Sequence, residues 1–233
     1  VAVSTALIGA GLTWLTSLEL YLPQTWAEDP ARRNAAQVPS TLAFREKWRI
    51  ALAHVRQAIA AGLQIEAVVA DAAYGEVGKF RSGLERLGLR YVLAVPWYLS
   101  ARVTAHGASE SLGAITKALP PSAWQRIRWA NGSKGPLEAR FVALRVRPRS
   151  ARAERWLLCQ ESLTDGERKY YFSNLPPDTP LRTLAEIARS RWAIEVQYRD
   201  LKSELGLTHF EGRSYRGWNH HAVLAAMTFT FLQ

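Results

Sequence analysis

"VVADAAYGE", residues 68–76, runs small apolar residues straight into the carboxylate of Asp71 and then turns at Gly75. A charge at the end of a buried strand is costly unless a turn or a site compensates it. The flanking sequence shows what kind of strand this is. "IEAVVA" (65–70) is a continuous apolar run, Val77, Phe80, Leu84 and Leu87 recur at helical spacing, and "YVLAV" (91–95) is a second apolar run. Strand, helix and strand in that order, with neither strand alternating, predict parallel strands covered on both faces and joined by a right-handed crossover. Asp71 then stands at the carboxyl end of a parallel strand, where α/β sheets open their crevices. Two readings stay open here: Asp71 caps the helix that follows, or it belongs to a site.

Toward the N-terminus, "VAVSTALI" and "LTWLTSLELYLP" are rich in β-branched and apolar residues around the turn "GAG" (9–11), which predicts an antiparallel pair. "QTWAEDPARRNAAQVPS" reads as polar loop. Trp48, Leu52, Val55, Ile59 and Leu63 then predict an amphipathic helix over 41–62, ended by Gly62. Toward the C-terminus, "WQRIRWA", "LEARFVALRV", "RWLLCQ" and "KYYFSNLP" predict four short strands separated by turns such as "NGSKGP" and "TDGE". Thr183–Leu205 reads as one long helix, and "NHHAVLAAMTFTFL", with Asn219 as N-cap, as the last. The expected organisation is an α/β core at 1–96, a β-rich basic insertion at 97–182, and closing helices at 183–233.

The chain has 233 residues, 48% of them hydrophobic, enough for one or two cores. A formal charge of +10 favours an anionic partner. The 97–182 stretch holds 14 Lys and Arg against 7 Asp and Glu, so most of that surplus sits there. Arg126, Arg128, Arg140, Arg145 and Arg147 alternate with Trp124, Trp129 and Phe141, a pattern that serves either phosphate contacts around stacking platforms or an ordinary core under a basic face. Cys159 is the single cysteine, which excludes an intrachain disulfide and a cysteine zinc cage and fits a reducing compartment. Val1–Leu18 carries no charge, but five Ser and Thr residues and the Gly turn argue against a membrane span or signal peptide. His209, His220 and His221 read as helix-start packing, and no Gly-rich phosphate loop or nucleophile elbow is present.

The helix "RSRWAIEVQYRDLKSELGL" places Arg191, Glu195, Tyr198 and Lys202 at i, i+4, i+7 and i+11, one stripe of mixed charge. By itself such a stripe serves a solvated face of weak ion pairs as well as a site. "VVADAAYGE", "YFSNLP" and this helix together resemble the DDE transposases of bacterial insertion sequences, specifically the insertion-sequence-four-like group with its Y-x2-R-x3-E-x6-K signature helix. The resemblance covers the chain from about Tyr21 to its end.

The resemblance implies an RNase H-like fold, a mixed sheet flanked by helices and interrupted by a β insertion. It matches Asp71 to the second catalytic acid, Glu195 to the third, Arg191 to the signature arginine and Lys202 to the signature lysine, while Ala188 stands where the signature has tyrosine. Asp71 and Glu195 are thereby the expected catalytic and metal-binding residues. Arg191, Lys202, Tyr198, Arg199, Trp124, Trp129, Arg126 and Arg128 are the expected DNA contacts. The family's first acid lies on a strand preceding "VAVSTALI", and Asp29 occupies a different topological position. The sequence is therefore expected to be an N-terminally truncated fragment, lacking a central strand and inactive alone.

For the intact protein the resemblance implies two Mg²⁺ ions, with Mn²⁺ as a substitute. It also implies double-stranded DNA as partner, at terminal inverted repeats and at a target, a homodimer on that DNA, no membrane, and a location in the bacterial cytoplasm on the nucleoid. The reaction expected is hydrolysis that frees a 3′-OH, followed by strand transfer. Two alternatives remain at this point: an RNase H-like nuclease without strand transfer, and a domesticated DNA-binding protein without catalysis.

Overall fold

The computed structural model describes residues 1–9, 11–104, 106–132, 135–151 and 153–232. The middle of the "GAG" turn, Ser133 and Lys134 of "NGSKGP", and Gln233 lie outside them. The chain divides into two compact units, one of residues 1–63 with 192–233 and one of residues 64–191.

In the first unit, β1 (Ala2–Gly9) and β2 (Leu12–Leu20) form the expected antiparallel pair, from Ala2 opposite Leu20 to Gly9 opposite Leu12 with one register shift between Thr5 and Ala6. The stretch expected as loop instead holds two short helices, α1 (Gln24–Ala27) and α2 (Pro30–Ala35). The local reason is Asp-Pro: the Asp29 carboxylate accepts from the Arg32 N–H at 3.0 Å, and Pro30 at the first helical position surrenders a donor that no helix uses. The amphipathic helix is shorter than expected. α3 runs Lys47–Ala60, because Arg33 takes the carbonyls of Leu42 at 2.7 Å and Pro39 at 2.8 Å and holds that segment out of helix. It buries Ile50, Leu52 and Val55 and packs on β1 and β2, and Gly62 closes it in the left-handed region at φ 80°.

The same unit ends with α8 (Trp192–Ser203) and α9 (Tyr215–Phe231). The final helix begins earlier than expected and is capped by Ser214, whose Oγ accepts from the Gly217 N–H at 3.1 Å, rather than by Asn219, which bonds the Tyr215 carbonyl within the helix. His221 Nε2 lies 2.9 Å from the Gly206 carbonyl, a packing contact from the second turn of α9 and not from its start as expected. Among the described residues no helix is long and apolar enough to cross a membrane.

The second unit is built on one mixed sheet. β3 (Val68–Ala70) runs parallel to β4 (Tyr91–Val95), with α4 (Ala72–Gly75) and α5 (Gly78–Arg86) in the crossover. Only half of "IEAVVA" is strand, since pairing begins where Val68 N–H reaches the Arg90 carbonyl and Tyr91 stands opposite. After β5 (Ser100–Arg102), β6 (Glu110–Ser111) and α6 (Leu112–Lys117), none of them foreseen, come β7 (Gln125–Gly132), β8 (Gly135–Pro148), β9 (Arg155–Glu161) and β10 (Arg168–Ser173). These are the four expected strands. They form one continuous sheet with the crossover strands, in the order β3-β4-β10-β9-β8-β5-β6 with β7 on β8, because β10 pairs antiparallel with β4. The sheet thus runs on past residue 96 without a break.

Its core joins Val92, Phe141, Leu158 and Tyr171 to Leu184, Ala185 and Ala188 of α7 (Leu181–Ser190). Asn174 of "YFSNLP" locks the start of β4, accepting from Tyr91 N–H at 2.7 Å and donating to the Leu89 carbonyl at 2.9 Å. A mixed sheet flanked by helices is the α/β architecture expected of an RNase H-like DDE fold. The single long helix is not found: α7 and α8 are separate, with Arg191 between them as the C-cap of α7.

Candidate catalytic and nucleic-acid site

Asp71 stands at the carboxyl end of β3 and is exposed. Its Oδ1 accepts from the N–H of Ala73 at 3.0 Å and of Tyr74 at 3.3 Å, so the capping reading is correct as far as it goes. Capping engages one oxygen, and the carboxylate keeps further lone pairs for a ligand. The glycine of the motif has a separate duty. A Cβ on Gly75 would lie 1.8 Å from the Ala94 carbonyl oxygen, so α4 rests directly on β4 and holds Asp71 at that strand end. Arg81, only 6% exposed, braces the same turn: it donates to the Gly75 carbonyl and, at 2.6 Å, to Ser150 Oγ, with its guanidinium 5.5 Å from the Phe172 ring centroid.

In the other unit Glu195, Arg199 and Lys202 are exposed on α8, and Glu195 sits in the first turn, where the helix dipole favours a carboxylate. Arg199 pairs with its neighbour Asp200 at 3.0 Å. Tyr198 is committed differently. Its hydroxyl bonds Ser4 of β1, its ring takes the Lys202 ammonium at 5.4 Å from the centroid, and burial raises its pKa. Beside it Gln197 is buried and reaches the Thr13 carbonyl at 3.4 Å, so α8 is fixed to the hairpin through this face. Ala188, at the signature-tyrosine position, is buried in the sheet core and offers no surface for DNA.

The two tryptophans expected as stacking platforms are both engaged. Trp129 shares the inward face of Ile127 by strand alternation and sits at a register shift between Arg128 and Ala130. It packs edge-on against Phe141 at 5.9 Å, under the Arg189 guanidinium at 4.7 Å. Trp124 lies against Arg168 at 4.9 Å and Arg140 at 5.9 Å. Both arginines pair with Glu161, Arg168 at 2.7 Å. Arg126 and Arg128 are exposed, the first paired with Glu138 and the second bonded to Asn131. Cys159 is buried, and burial pushes its thiol up to about 12, which removes it as a nucleophile at neutral pH.

Burial of Glu161 opposes its ionisation, but the bonds from Arg168 and Arg140 outweigh that and hold its carboxyl below the ordinary value of 4.5. A depressed carboxylate pKa contributes stability that is present above about pH 4.5 and lost as pH falls through the folded value. Urea unfolding of Glu161→Gln should therefore lose about 1–2 kcal/mol at pH 7 and close on the parent at acid pH, as pH falls through the folded value. An equal deficit at both pH values would show that the pairing contributes nothing.

The sequence reasoning missed Arg81, Glu161 and the exposed pair Trp97 and Tyr98 at the carboxyl end of β4. The signal for the last was present in "VPWYLS": Pro96 stops the strand at the crevice side of the sheet, as Asp71 stops β3. Among the described residues no group of three or more His, Cys, Asp and Glu is arranged to hold a metal ion.

Residues 1–110, which contain the Asp71 turn, match the family model described as DDE superfamily endonuclease. Over 240 residues the chain is 25% identical to the probable transposase for insertion sequence element IS701 of Microchaete diplosiphon. The alignment takes in 100% of this chain and 54% of that relative, so the chain spans about half the relative's length. The chain is thus similar to DDE superfamily endonucleases over its first 110 residues and, over its whole length, to part of an insertion-sequence transposase.

Proposed function

We propose that this chain carries the catalytic part of a DNA transposase, with Asp71 and Glu195 as the second and third acids of a DDE set. The observation that carries the reading is Asp71, held at the carboxyl end of a parallel strand by the contact of Gly75 with β4, within the stretch that matches the endonuclease family. Both acids supply hard carboxylate oxygens of the type magnesium takes. Bound divalent metal, two Mg²⁺ in this reading, supplies activation of the attacking water and stabilisation of the leaving oxygen in phosphoryl transfer. The first carboxylate of the set is unassigned. Arg191, Lys202 and Arg199 bind DNA phosphates near Glu195, and Arg126 and Arg128 are further DNA contacts. The substrates are the element's terminal inverted repeats and a target duplex, engaged by a homodimer.

The test is the full-length gene product with Mg²⁺, a labelled duplex ending in the element's inverted repeat and a supercoiled target plasmid. Free 3′-OH ends followed by joined plasmid products are expected. Cleavage without joining would replace the reading with a nuclease, and DNA binding without cleavage with an inactive DNA-binding protein. Glu195→Gln should cost about 10³-fold or more in cleavage while unfolding free energy falls by no more than about 1 kcal/mol, since a removed metal ligand forfeits several kcal/mol of transition-state stabilisation and the side chain is exposed in the first turn of α8.

A further inference from the structure

Trp97 and Tyr98 follow β4 and are 61% and 55% exposed, yet their backbone is rigidly held. Leu99 N–H bonds the Pro96 carbonyl at 3.2 Å, Gly113 N–H bonds the Trp97 carbonyl at 3.0 Å, and Leu112 N–H bonds the Leu99 carbonyl at 2.8 Å. The two rings meet edge to face, 6.0 Å between centroids. The Tyr98 hydroxyl donates to Glu76 Oε2 at 2.9 Å, which fixes that ring in turn. The backbone beneath both rings and the Tyr98 ring itself are thus ordered before any ligand arrives, which lowers the entropy cost of stacking on them.

Beside Tyr98 opens a cleft of about 330 Å³, lined by Glu76, Arg81, Ser100, Arg149 and Ser150 among others. Its chemistry is that of an anion site. Arg81 is more than nine-tenths buried, and its bonds go to a neutral carbonyl and a neutral hydroxyl, with no carboxylate in ion-pair contact among the described residues. Glu85 meets that buried charge only at longer range, so an anion entering the cleft is favoured. Arg149 is exposed at the rim, and the single acid of the cleft, Glu76, is occupied by Tyr98. Glu76 is also the C-cap of α4, whose N-cap is Asp71, so the cleft lies about 8 Å of helix rise from the proposed catalytic acid. That is two or three nucleotides at about 3.4 Å each.

We propose that Trp97 and Tyr98 form a stacking platform for an unpaired DNA base, with Arg149 and Arg81 taking the adjoining phosphate. The proposal rests on the transposase reading for its choice of DNA, and it moves the stacking role from Trp124 and Trp129, half-buried with their rings against arginines, to the more exposed pair. A single strand is the matching occupant because an aromatic face can meet a base only where the base is unstacked.

The test is fluorescence anisotropy of the full-length protein with a labelled oligo-dT strand and a blunt duplex of equal length, in EDTA so that no cleavage intervenes. Trp97→Ala should weaken single-strand binding about tenfold or more, Trp97→Phe should restore most of it, and the duplex should change by less than about threefold. Arg149→Ala should lower the slope of log affinity against log salt by about one. An unchanged melting temperature for Trp97→Ala is expected from its exposure. Equal single-strand binding by Trp97→Ala and the parent overturns the platform, as does an equal loss on both probes. A parent chain that binds neither probe overturns the transposase reading beneath it, whereas binding that ignores Trp97 overturns the platform alone.

Discussion

Asp71→Asn should leave the protein folded and abolish its chemistry. Asparagine caps a helix as well as aspartate does, so the amide oxygen can take over the bonds from Ala73 and Tyr74, and unfolding free energy should stay within about 0.5 kcal/mol of the parent. Asp71→Ala, which removes the cap as well, should cost about 1 kcal/mol more. Activity separates the two duties of this side chain. If Asp71 supplies a metal ligand, replacing carboxylate by amide removes the charge that holds the cation, and strand cleavage by the full-length protein should drop by about 10³-fold or more. If it is only a cap, cleavage should follow stability, with Asn near wild type and Ala slightly reduced. Cleavage rate and denaturation midpoint measured on the same two variants decide between them. A fully active Asp71→Asn protein would overturn the catalytic assignment.

How far the chain could be read in advance followed from how local each determinant is. "YVLAV" is strand from Tyr91 to Val95 as expected, because a continuous apolar run between turns has one good solution in a buried parallel sheet. Asp29-Pro30 carries the signal of a cap followed by proline, but the stretch reads as polar loop because the composition around it masks a helix of six residues. The place of β10 was not legible. Its hairpin with β9 is a local feature, whereas its pairing with β4 joins residues far apart in sequence, and nothing in "KYYFSN" distinguishes an inserted sheet from a continued one.

The break between α7 and α8 shows the same limit from another side. At about 100° per residue, the face of α7 that buries Leu184 and Ala188 would continue through Arg191, Glu195 and Lys202. That is the stripe the signature describes, so an unbroken helix would set three charged residues in line with a core face. α8 instead buries Gln197 and Leu201, a different face, and the helix is interrupted at Arg191 without any Gly or Pro to announce it. The charged stripe was readable. Its freedom from the core required a break that only packing imposes, and the same packing spent Tyr198 on Ser4.

Gly75→Ala should be among the most damaging small substitutions in the chain, in spite of what helix propensity says. Alanine is favoured over glycine within a helix by about 1 kcal/mol, so propensity alone predicts a more stable protein. Packing predicts the opposite. The added Cβ would stand 1.8 Å from the Ala94 carbonyl oxygen, 2.9 Å from its carbon and 3.2 Å from Leu93 Cβ, and two of those three atoms are backbone. β4 cannot move aside, because β3 pairs on one edge and β10 on the other. α4 must therefore lift, and the bond from Arg81 to the Gly75 carbonyl is disturbed with it. A net loss of about 3 kcal/mol is expected, seen as a melting temperature lower by about 6–12 °C. Lifting α4 also shifts Asp71, and a displacement of about 1 Å at a catalytic group costs about 10²-fold in rate, so cleavage should fall beyond what the unfolded fraction explains. A Gly75→Ala protein that melts with the parent would show that the strand end yields, and the positioning of Asp71 would then need another cause.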